Sequence, residues 1–123
     1  MTPAPQVIST DKHTVKPWFQ GKLPFSFNIP DATALPADTT LQGANLAYVQ
    51  GKPAAMLLFL NHKHRASVFL SQAGQIPRVG FVTVRSGFNI ESAEAAGLDI
   101  VAVSDVSQAD LDELLRRLAN AQR

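Results

Sequence analysis

Two histidines two residues apart, His62 and His64, are the side chains whose type and spacing come nearest to chemistry in this chain. On a strand that spacing sets both imidazoles on one face, as some metal sites require. Imidazole also titrates near neutrality, so the pair suits a pH sensor. Lys63 and Arg65 interleave with them, and two cations disfavour a third. The plainer reading is a solvated hairpin turn, and all three readings stand on the residues alone. The acids Asp105, Asp110, Asp112 and Glu113 could form an acid/base pair or hold a hard cation. They also suit the start of a helix, where the dipole favours negative charge.

Other chemistry is poorly represented. Ser, His and Asp are present, but no G-x-S-x-G elbow, G-x-G-x-x-G, P-loop or H-E-x-x-H appears. The chain has no Cys, which excludes a thiol nucleophile, a disulfide framework and a Cys-rich zinc site. A net charge of +1 gives no electrostatic case for nucleic acid or anionic lipid. The expectation is therefore a non-enzymatic protein with no cofactor and no nucleic-acid partner.

The most distinctive segment is His13 to Leu23, which holds the only Trp and the third His. Pro17 fits the first turn of a short helix, where its missing N–H costs little. Trp18 and Phe19 would then face the core, and Gly21 could end the turn. Lys16 either faces water or pairs with an aromatic ring. His13, Lys16, Pro17, Trp18 and Phe19 are thus candidates for a packing or regulatory segment.

These residues need elements to position them. At 123 residues, 46% hydrophobic and 17% charged, the chain suits one globular domain. Its longest apolar run, Pro53 to Leu60, is too short to span a bilayer. The Pro-rich start predicts a linker or tail over residues 1–12, with one domain over 13–123. Leu23 to Pro30 reads as an extended or edge segment, and Asp31 to Thr40 as irregular. Leu46–Val49 and Ala55–Leu60 read as strands about a Gly51 turn, with a third strand at His64–Leu70. Gln72–Pro77 is a loop, and Phe81–Val84 is a strand or its lead-in. Phe88–Ala93 and Leu98–Val103 are strands about a turn at Ala95–Gly97. Ser107 caps a closing helix whose stripe is Leu111, Leu114, Leu115 and Leu118. The expected fold is α+β: an antiparallel meander, the C-terminal helix on one face, and a short N-terminal helical segment.

With the residues laid out, a family likeness emerges. His13-Thr14-Val15-Lys16-Pro17-Trp18-Phe19, with Gly21-Lys22-Leu23 and Phe25, resembles the start of the extracytoplasmic domain in zinc-type transmembrane anti-sigma factors of bacteria. Gly43-Ala44, Leu46, Tyr48-Val49 and Gly51 to Ala55 are similar to a hairpin of that group. Lys63-His64 with Phe69 resembles its next strand. Gly87-Phe88-Asn89, Gly97-Leu98 and Ala102 to Val106 resemble its final pattern before the last helix.

The resemblance implies a sensor or regulatory domain outside the cytoplasmic membrane, with no catalytic residues. In such proteins a cytosolic segment holds a sigma factor and one helix crosses the membrane. This chain carries neither the cytosolic His/Cys zinc motif nor that helix. It reads as a soluble piece of a longer protein or as a shortened relative, whose sigma factor and membrane would be reached only through those segments. A periplasmic protein or protease is a further implied partner. The residues leave a second class open: a small periplasmic ligand-binding protein or an enzyme, using a pocket near Trp18 and the His-bearing turn.

Overall fold

A continuous apolar run at the centre, flanked by segments that alternate more closely, folds into a single antiparallel sheet in the computed structural model. The structure describes residues 7–8, 12–49, 51–73, 83–85 and 87–122. Among these, the strands are β1 (Val7–Ile8), β2 (Thr39–Val49), β3 (Lys52–Asn61), β4 (His64–Gln72), β5 (Thr83–Arg85), β6 (Phe88–Ala95) and β7 (Leu98–Ser104). Two helices flank them, α1 (Lys12–Trp18) and α2 (Gln108–Gln122). The sheet order is β1-β2-β3-β4-β7-β6-β5, and every pairing is antiparallel. The chain is thus α+β, with a C-terminal helix and a short N-terminal helical segment. The meander has one break: β2-β3-β4 run in order, the chain then moves to the far edge, and β5-β6-β7 return to close against β4. The expected loop at Gln72–Pro77 and the lead-in at Phe81–Val82 lie largely outside the described residues. Within the expected tail, Val7 and Ile8 pair with Ala44 and Gly43, as a β-branched pair added to an open strand edge can do.

Two tight turns show how sequence sets the connections. Ala96 and Gly97 link β6 to β7 with φ of 52° and 78°, the left-handed pair that matches hairpin twist. His62 and Lys63 link β3 to β4 with φ of 49° and 68°; His is among the residues enriched in this region, and Lys is not. β2 contains a bulge at Gln42, where pairing jumps from Leu41–Phe59 to Gly43–Leu58. The extra residue lets Leu41 and Ala44 both bury on the same side.

That side holds the core. Leu57, Val68, Leu70, Ile100 and Ala102 are all 0% exposed and share one face by register. α2 covers them with its predicted stripe, Leu111, Leu114, Leu115 and Leu118, all buried in the same cluster. Val15, Phe19, Phe27 and Ile29 fill the rest of that layer. The Ser107 hydroxyl accepts the Asp110 N–H at 3.2 Å, the expected cap. Glu113 binds both Arg116 and Arg117 one turn on, which holds its carboxyl below the usual range.

Candidate functional site

α1 begins earlier than expected, at Lys12, so Pro17 falls in its last turn rather than its first. The helix can end there because Phe19 and Gln20 turn back through hydrogen bonds to Lys16 and Pro17 carbonyls. Gly21, with φ of 80°, completes the reversal. Phe19 is 3% exposed and stacks edge-on with Phe27. Trp18 is only half-buried. Its ring meets Phe19 edge-on at 4.9 Å, and the cation above it is Lys22, 4.5 Å from the ring centroid. Lys16 instead donates to Asn28 Oδ1 at 2.9 Å. The side chain of His13 lies outside the described residues.

The segment after α1, expected as an extended or edge segment, bends at Pro24 and Phe25 and joins no strand of the sheet among the described residues. At Asn28 its backbone is satisfied by a side chain. Gln122 Oε1 accepts the Asn28 N–H at 2.7 Å, and Gln122 Nε2 donates to the Asn28 carbonyl at 2.6 Å. Nε2 also donates to the Leu118 carbonyl, and Asn28 Nδ2 donates to the Ala121 carbonyl. The end of α2 thereby grips the chain that follows α1. A cleft of about 640 Å³ lies along this seam, bordered by Lys16, Pro17, Asn28, Pro30 and Arg117.

The histidines do not act as a strand pair. His62 stands in the turn with positive φ, and only His64 opens β4, so the two-residue spacing does not carry strand geometry. Each has its own carboxylate. His62 Nδ1 lies 3.3 Å from Asp38 Oδ2, with Nε2 3.8 Å from Asp110 Oδ2. His64 Nδ1 lies 3.0 Å from Asp105 Oδ1. Among the described residues, no three His or acidic side chains gather at one point as a metal centre needs. What the histidines do is tie the β3–β4 turn to the loop before β2 and to the start of α2.

A second cleft, about 550 Å³, opens beside this turn. Lys63, His64, Arg65 and Asp105 border it on one side, with Ser67, Val103 and Phe88 along its floor and wall. It is separate from the seam at α1, and neither of these two clefts is bordered by Trp18.

One buried group was legible only in part. Glu91 is 5% exposed, and its Oε2 has no hydrogen-bond partner. Burial raises its carboxyl pKa most, Asp112 adds to this, and a hydrogen bond from Gln108 opposes it. The signal was the phase of β6: Glu91 alternates with Ala93 and Ala95, on the strand face that meets α2. No protein-family model matches this chain, and no curated protein matches it.

Proposed function

We propose that this chain is an extracytoplasmic regulatory domain, of the kind attached to a transmembrane anti-sigma factor, and that it controls sigma-dependent transcription without catalysing a reaction. The reading rests on the ordered resemblance that begins at His13. The observation that carries its physical side is the seating of α1. Val15 is 0% exposed and Phe19 3%, both within the cluster that includes the leucines of α2. The chain entering the domain is therefore held by the domain's own core, and Gln122 clamps the segment just beyond it. A regulatory domain needs an element with two arrangements that a signal can bias. Docking and release of α1 would be that element, with a protease or a periplasmic protein acting on the released tail. In a full-length protein, removal of residues 13–123 should change transcription from a sigma-dependent reporter, and Trp18→Ala should change it in the same direction. A reporter indifferent to the domain under every stress applied would defeat the proposal. The cleft beside His64 favours a second reading, a ligand-binding domain.

A further inference from the structure

The cleft beside the β3–β4 turn combines charge and an apolar wall. By register, Arg65 and Ser67 lie on one face of β4, Val103 is directly opposite Ser67 on β7, and Ile90 opposite Val103 on β6. Phe88 stands two residues before Ile90, on the same face. Five side chains, charged, hydroxylic, aliphatic and aromatic, are thus set across three adjacent strands, a span of about 10 Å at the usual strand spacing. Phe88 is 45% exposed, one of two large hydrophobic side chains so exposed among the described residues. Phe88 lines the same cleft as Lys63 and Arg65, so an apolar surface and two cations face one opening.

The charges are unbalanced. Lys63, Arg65 and His64 border the cleft against one carboxylate, Asp105, and that carboxylate is already engaged by His64 Nδ1 at 3.0 Å. Among the described residues, neither the Lys63 ammonium nor the Arg65 guanidinium has a hydrogen-bond or ion-pair partner. A guanidinium is built to meet a carboxylate or phosphate with two parallel hydrogen bonds. The Ser67 hydroxyl adds a donor on the floor. Fixing His64 through Nδ1 leaves its Nε2 without a partner among the described residues.

We propose that this cleft binds a small organic anion, a carboxylate or phosphate carried on a flat apolar group. Arg65 and Lys63 hold the acid group, and Phe88 and Val103 cover the apolar part. The site stands independently of the regulatory role.

The test is an amide-resolved NMR titration of the whole chain with phenyl phosphate and, separately, with benzoate. Inorganic phosphate and phenol serve as the acid-only and ring-only references. Saturable shifts should cluster at residues 63–67, 88 and 103–105. Arg65→Gln should weaken phenyl phosphate by about tenfold, the loss of a charge-assisted hydrogen bond. Phe88→Ala should weaken phenyl phosphate and leave inorganic phosphate unchanged. Both side chains are exposed, and a thermal melt of each variant checks that the fold is kept. Stronger response to phenyl phosphate than to benzoate identifies a phosphate ligand, and the reverse a carboxylate. Shifts that scatter over the surface or fail to saturate would overturn the proposal. So would a response that Arg65→Gln does not alter, or equal binding of phenol and phenyl phosphate.

Discussion

Replacing Gln122 with Ala tests whether the end of α2 holds the chain that follows α1. The side-chain amide makes two hydrogen bonds to the Asn28 backbone, at 2.7 and 2.6 Å, and is 8% exposed. A net hydrogen bond is worth about 0.5–1.5 kcal/mol, and a polar group left buried without a partner costs about 1–3 kcal/mol. Asn28 itself is exposed, so water recovers part of that loss. The expected cost of Gln122→Ala is about 2–3 kcal/mol. Gln122→Glu keeps the acceptor for the Asn28 N–H but aims a negative charge at two carbonyls, Asn28 and Leu118, and at the negative end of the helix. It should cost about 1–2 kcal/mol at neutral pH. Acid should restore that loss, because the protonated carboxyl regains a donor. The assay is urea unfolding followed by Trp18 fluorescence and by far-UV circular dichroism. In Gln122→Ala the Trp18 signal should move first, since the clamp holds the segment next to it. A loss below about 0.5 kcal/mol, with the two signals still coincident, would refute the clamp.

Trp18→Ala should cost about 1.5–3 kcal/mol, less than the figure for a fully buried aromatic, because the side chain is only partly buried; native emission already typical of free indole would contradict its contact with Phe19. Glu91 gives a pH prediction. Its folded carboxyl is held above the unfolded value, so the stability that the protonated group contributes is present below the unfolded pKa and is lost as pH rises through the folded one. Glu91→Gln should therefore gain about 1–2 kcal/mol over wild type at neutral pH and nothing in acid; urea melts across pH read this, and a pH-independent gap would exclude the buried carboxylate as the cause.

Much of the fold was written in local pattern. The leucine stripe of α2 repeats at helical spacing and buries as that spacing requires. Ser107 caps the helix because a hydroxyl before an apolar run satisfies an orphan N–H. Gly97 marks a turn because few residues tolerate its φ. These are properties of neighbouring residues, and a sequence states neighbours directly. The tertiary structure decided what depends on distant partners. It placed β7 against β4, an arrangement set by burial of Ile100 and Ala102 beside Val68 and Leu70. It gave His62 to Asp38 and His64 to Asp105, partners 24 and 41 residues away in the chain, in place of a shared strand face. It joined Asn28 to Gln122, 94 residues apart, because only the packed α2 brings an amide to that backbone. It also set Arg65 and Phe88 on one face, through the register of strands whose order no local periodicity encodes.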